Sequence, residues 1–252
     1  MPLGEIIGAL AAGTFVGSIL GFIGAGGAML TVPLLLYGFH FTAVAATTAA
    51  LAVVFIAALV GVIPKARRGD VLYREALTVW GLGLITNIGG GIIAKHLPSA
   101  FLTSGFAFFL VIAGASMLKG TPKDHPERRM PLAILVIVSL VIGAMTGLFG
   151  IGGGFLAIPI LVLFFHTPQN KAAGTSLLII ALNCLTSFLA HHAVWKEISW
   201  HVPLIIAGAA VVVSHWASGR SHKVTSQKLR IAFAYLIFAI AIFTITKTWI
   251  FH

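Results

Sequence analysis

Two thirteen-residue stretches, 21–33 and 147–159, carry the strongest chemical signal in the chain. They align at an offset of 126 with six identical positions, four glycines and a proline among them. Gly21, Gly24, Gly26 and Gly27 stand in the first stretch; Gly147, Gly150, Gly152, Gly153 and Gly154 stand in the second. Glycine lets backbone N–H groups approach a ligand closely and permits positive φ. A helix that starts just after such a cluster turns its positive dipole end and free N–H groups towards that space, which suits an oxyanion. The competing reading is close helix packing, which also uses small residues. The trailing Pro33 and Pro159 favour a break, since proline interrupts a helical ladder. A soluble phosphate or dinucleotide loop would need a strand–turn–helix context, which this sequence does not supply.

Neutral hydrogen-bond donors form the second group. Ser176, Asn183, Ser187 and His191 are spaced by seven, four and four, so one helix face carries them all. In lipid such groups turn to a partner helix or a wet cavity, and they bind an anion without burying a fixed charge. Thr48 and Thr175 correspond across the two stretches' surroundings, as do Asn87 and Ser214. For each, the plainer alternative is a hydrogen bond between helices. His40 and His166 also correspond. A histidine titrates near neutral pH, so the pair could couple transport to protons; capping a helix end at the interface is the simpler role. Lys171, near Thr175, reads more simply as an anchor than as an anion attractor. His191 and His192 lack a neighbouring Cys or carboxylate to complete a metal site. No metal and no cofactor are expected. All six acids, Glu5, Asp70, Glu75, Asp124, Glu127 and Glu197, fall at helix ends or in loops. The carboxylate relay of a cation carrier is therefore missing, in keeping with an anionic or neutral solute.

The elements that must position these groups are set by composition. Of 252 residues, 59% are hydrophobic and 9% charged, and the mean hydropathy is +1.05. A soluble domain has about 45–50% apolar and about 25% charged residues. That contrast excludes a water-soluble enzyme, a disordered regulator and a nucleic-acid-binding domain. The net charge of +10 lies between apolar runs, where basic residues orient a chain in the bilayer. The single Cys184 excludes an intrachain disulfide. The first residues lack a basic signal-peptide head, so the first apolar run is read as part of the mature chain. Eight runs reach the length of a membrane-crossing helix: 6–23, 43–63, 76–94, 101–118, 132–149, 172–190, 202–217 and 229–249. Two shorter runs, 28–39 and 154–165, follow the glycine clusters and read as broken or re-entrant helices. Strands of alternating polarity are absent, which argues against a membrane barrel. The fold class is thus all-α: a polytopic transmembrane bundle of about eight long helices plus two broken ones.

The repeat divides the chain into two halves, 1–120 and 131–252, joined by a polar linker at 121–130. Lys and Arg counts discriminate the arrangements. Parallel halves split the basic residues 10 to 6, and inverted halves split them 13 to 3. The inverted arrangement satisfies the positive-inside bias far better. It predicts extracytoplasmic termini and cytoplasmic loops near 65–74, 119–130 and 220–230.

These features resemble the TauE/SafE family of sulfite-exporter-like membrane proteins over nearly the whole chain. The resemblance rests on the glycine breaks 24–33 and 150–159, on the run 173–177, and on 89–98 with its counterpart 217–225. It implies export of sulfite, a sulfonate or another small sulfur-containing anion. One departure stands out: residues 46–49 lack the Gly-Thr-Ser run that the second half has at 174–176, so the halves need not contribute equally. The expected function is transport of a small anion by alternating access, with the lipid bilayer as surroundings and homo-oligomer formation left open. A passive anion channel, an intramembrane enzyme and a scaffold are the alternatives. The enzyme would need a catalytic set within the spans, and none is visible.

Overall fold

The computed structural model describes residues 2–94, 97–118, 132–149, 157–158, 161–162, 167–223 and 226–249. Among the described residues the structure is helical, without strands. Helix α1 (Leu3–Ile23) is followed by a short α2 (Gly27–Pro33), then α3 (Ala43–Ala66), α4 (Tyr73–Ala94) and α5 (Ser99–Leu118). The second half has α6 (Leu132–Phe149), α7 (Gln169–Ala190), α8 (His201–Arg220) and α9 (Ser226–Trp249). The eight long helices coincide with the eight apolar runs. By length and composition α1, α3, α7 and α8 can each cross a membrane.

Local chemistry sets the helix ends. Gly24 closes α1 in the left-handed conformation, φ 83°, with its N–H donated to Leu20 O. The Thr42 hydroxyl accepts from Ala45 N at 3.4 Å and caps α3. Pro168 precedes α7, where no helical N–H is needed. Pro33 ends the regular part of α2, and a π-helical turn, Leu34–Gly38, follows it. His40 then takes φ 57°, and Phe41 N–H donates to Leu35 O at 3.1 Å. The same closure recurs 126 residues on, where Thr167 N–H donates to Leu161 O at 3.0 Å.

The broken first segment returns across the bundle. It leaves α1 at Gly24, against Ala173 near the start of α7, and ends with Phe39 against Gly8 near the start of α1. Helix α3 therefore runs in the direction of α1. Helix α7 runs against α3: Thr48, near the start of α3, meets His191 just past the end of α7. Leu72, beyond the end of α3, meets Thr175 near the start of α7.

Packing exchanges partners between the halves. α1 lies on α8, α4 on α6, α3 on both α7 and α8, and α5 on α9. Small residues make the close approaches. A Cβ on Gly17 would stand 2.5 Å from Ala210 O. A Cβ on Gly143 would collide with Gly83 O and the Thr86 hydroxyl, and Gly143 and Gly83 are the repeat counterparts of Gly17 and Ala210. Gly13 and Gly21 extend the α1 contact at spacings of four against Ile206, Ala209 and Ala217. That is the small-residue packing of membrane helices, where van der Waals contact replaces the hydrophobic drive. The outer faces are apolar: Ile7, Ile85, Ile88, Val212 and Ile242 are each more than half exposed. Such a surface is stable in lipid rather than in water.

Candidate functional site

Hydroxyls inside the bundle are held by carbonyls. Thr31, Ser139 and Thr146 donate to the carbonyl four residues back, at 2.7, 2.6 and 2.7 Å. Others join helices. Ser214 on α8 donates to Ala57 O on α3 at 3.0 Å, and Ser218 to Gly61 O at 2.6 Å. One turn further, Lys65 Nζ donates to Ser221 Oγ at 2.8 Å. Beyond it Arg68 spans Ser218 O and Gly219 O, at 3.4 and 2.5 Å. Thr86 on α4 reaches Leu140 O on α6 at 2.8 Å.

The sequence-predicted residues separate into three groups along the α3–α7 pair. At one end, Thr48 is fully buried; its O–H donates to Val44 O at 2.8 Å, and its oxygen pairs with His191 Nδ1 at 3.1 Å. At the other end, Thr175 donates to Lys171 O at 2.7 Å and accepts Leu72 N–H at 3.0 Å. The two threonines correspond by the repeat, yet the antiparallel packing sets them at opposite ends. Between them lie Asn183 and Ser214. The antiparallel register sets Asn183 level with residues 55–57 of α3, the turn whose Ala57 carbonyl takes Ser214. Both are buried, as are Ser176 and, on α4, Asn87.

The first glycine cluster is tightly filled. The space over Gly24 holds the Ala173 backbone, and that over Gly27 holds the Leu20 side chain. Gly26, at φ 87°, starts α2. Gly21 packs against Ala217 and Ser214. His40 is exposed and lines a groove of about 540 Å³ with Glu5, Gly8 and Phe39, at the end where α1 begins. Gly150, Gly152, Gly153, Gly154 and His166 lie outside the described residues. No group of three potential metal ligands forms among the described residues.

Two features escaped the reading of the sequence. Lys65 entered it only within the basic loop near 65–74, although it follows Pro64 in the last turn of an apolar run. The spacing of four between Gly13, Gly17 and Gly21 was legible, as a helix-docking face.

Thr175→Ala is expected to leave Leu72 N–H without its acceptor and to cost about 1–3 kcal/mol. Thermal melting of the purified chain in detergent checks this, with Thr175→Ser retaining most of the stability.

Long apolar helices and an apolar outer face define a multi-pass membrane protein. The chain belongs to the TauE/SafE family: the profile described as "Sulfite exporter TauE/SafE" matches residues 9–244. It is a family of transporters rather than enzymes. The chain is similar to a "Probable membrane transporter protein" of Xylella fastidiosa strain Temecula1, with 28% identity over 99% of this chain and 98% of the relative. A "Probable membrane transporter protein" of Methanocaldococcus jannaschii is 25% identical over 96% of this chain and 94% of its own. The "Probable membrane transporter protein YunE" of Bacillus subtilis is 27% identical over 86% of this chain and 87% of its own. No solved structure matches the chain.

Proposed function

We propose that the chain exports a small anion, with sulfite or an organosulfonate the first candidates, by alternating access of two inverted halves, 1–120 and 131–252. The observation that carries this reading is the antiparallel contact of α3 with its repeat counterpart α7. Halves related by an axis along the membrane normal would set these two helices parallel; an axis in the membrane plane sets them antiparallel. The exchanged packing of α1 on α8 and α6 on α4 supports the same relation. So does the meeting of Lys65 with Ser221, which brings the loops near 65–74 and 220–230 to one side. That side is the cytoplasmic one by the positive-inside bias, and the termini are extracytoplasmic.

The binding region on this reading is the middle of the α3–α7–α8 contact. Asn183 and Ser214 are the proposed neutral donors there, Ser214 once its proton leaves the Ala57 carbonyl, and the repeat relation gives Asn87 the matching position beside α7. Thr48 and Thr175, with Ser176, stand nearer the two mouths. Gly24, Gly26 and Gly27, and by the sequence repeat Gly150, Gly152, Gly153 and Gly154, are the proposed backbone N–H donors to the anion. His40 and His166 are the candidates for proton coupling.

The test is uptake into proteoliposomes of sulfite, thiosulfate, a sulfonate, sulfate and a carboxylate. Saturable, counterflow-competent movement of one anion supports a carrier; non-saturating conductance makes it a channel, and movement of none removes the reading. Asn183→Leu is expected to lower kcat/KM for the transported anion by about tenfold or more, the value of a hydrogen bond to a charged group. Parent-like kinetics in that variant would take Asn183 out of the site.

A further inference from the structure

We infer that Lys65 is the buried ammonium that receives the transported anion at the basic end of the bundle; this rests on the reading of the chain as a small-anion carrier. Of the buried polar side chains among the described residues, Lys65 alone is charged, and it is 1% exposed. Its ammonium has three N–H donors. Ser221 Oγ takes one of them at 2.8 Å, while the Ser221 hydroxyl itself donates to Ser218 O at 3.0 Å. The partner is thus a neutral oxygen. A buried ammonium held in this way is costly, far more so than a buried hydroxyl. Joining α3 to α8 does not require it. Ser214, Ser218 and Arg68 already tie the two helices by bonds to backbone carbonyls. A charge kept inside the bundle beyond what docking needs is explained by an anion that visits it.

The surroundings place Lys65 where both halves converge. Asp70 N–H donates to Lys65 O at 3.0 Å, and the Asp70 carbonyl lies against Gly174 of α7. Ala173, next to Gly174, fills the space over the glycine break at Gly24. The turn Ser221–Lys223 touches α1. Asp70 and Arg68 are the charges that act on Lys65, and they oppose each other. On the outer surface of this end Arg67, Arg68 and Arg220 are exposed. An anion approaching from this side meets a positive surface first, which raises its local concentration. Lys65 lies behind that surface, and the anion replaces the neutral Ser221 acceptor with a charged one to reach it.

The experiment compares the full-length parent with Lys65→Gln and Lys65→Arg in proteoliposomes, with sulfite as the probe and melting in detergent across a sulfite series as a second readout. Lys65→Gln is expected to raise KM by about tenfold or more, as for a lost charge-assisted hydrogen bond. It should also lose the sulfite-dependent gain in melting temperature. Lys65→Arg should keep part of both. A parent-like KM in Lys65→Gln overturns the inference and leaves anion transport standing, even if that variant melts lower; Lys65 is then only a tie between helices. If the parent neither transports nor is stabilised by any anion of the panel, the transport reading fails and the inference fails with it. Should Lys65→Gln not insert, Ser221→Ala decides, because it keeps the charge and removes the acceptor. A lower KM for sulfite supports the inference, and an unchanged or higher one overturns it.

Discussion

Gly17→Leu is expected to prevent α1 from docking on α8, and Gly143→Leu to do the same for α6 on α4. In each case the missing side chain is what allows two helices to touch through their backbones. A Cβ on Gly17 would lie 2.5 Å from Ala210 O and 2.9 Å from its Cα. Backbone cannot move aside as a flexible side chain can, so the helices must separate. Overpacking a close contact costs about 1–3 kcal/mol when the core can adjust, and a leucine between two backbones exceeds that range. The variants should fail to give monodisperse protein in detergent, or melt far below the parent, by size-exclusion profile and thermal melting. Gly208→Leu and Gly81→Leu provide the contrast, because a Cβ at either position meets nothing within 4 Å. Parent-like melting of Gly17→Leu and Gly143→Leu would contradict the exchanged helix pairs.

Gly24→Ala is the second large effect. Gly24 has φ 83°, where an L side chain meets its own backbone, and its Cβ would stand 2.5 Å from Ala173 O and 2.7 Å from Ala173 Cα. The conformational part costs about 1–2 kcal/mol, and the collision adds to it by pushing α7 away from the end of α1. A melting temperature lowered well beyond that of Gly208→Ala is expected. The comparison separates a helix terminator from a packing glycine: Gly69 also has positive φ, 74°, with nothing within 4 Å of its Cβ. Gly69→Ala should therefore show the conformational part alone. Equal melting of Gly24→Ala and Gly69→Ala would remove the contact with Ala173 from the explanation. Because this contact joins the first glycine break to the start of α7, a functional consequence follows. A milder variant that still inserts should slow transport, since the break and the second half could no longer approach.

On the proposed alternating-access reading, the hydrogen bonds between helices are the ties that change. Ser214 and Ser218 hold α3 to α8 along successive turns, and Thr175 and Thr48 tie α7 to the two ends of α3. A carrier that alternates must break one set of these ties and keep another. The Ser214, Ser218 and Thr175 bonds to backbone groups are each neutral and worth about 0.5–1.5 kcal/mol net, which on the proposed reading an arriving anion can replace. A bundle closed by buried ion pairs would resist the same exchange.

The amino-acid sequence by itself determined the eight long helices seen among the described residues and the place where the first one breaks. A backbone in lipid has no water to satisfy it, so every long apolar run must become a helix, and the run 101–118 became Ser99–Leu118 with almost the same bounds. The glycine and proline of residues 24–33 marked a real interruption, with Gly24 left-handed and a π turn after Pro33. Partner choice was decided only in three dimensions. These helices are apolar on all sides, so no periodic stripe says which face meets which neighbour. Tertiary packing alone put Gly143 against Gly83, brought Thr48 to His191 and Leu72 to Thr175, and enclosed Lys65. Close approach belongs to a pair of surfaces, and the burial of a lysine at a helix end depends on what another helix, 156 residues away in the chain, brings to it.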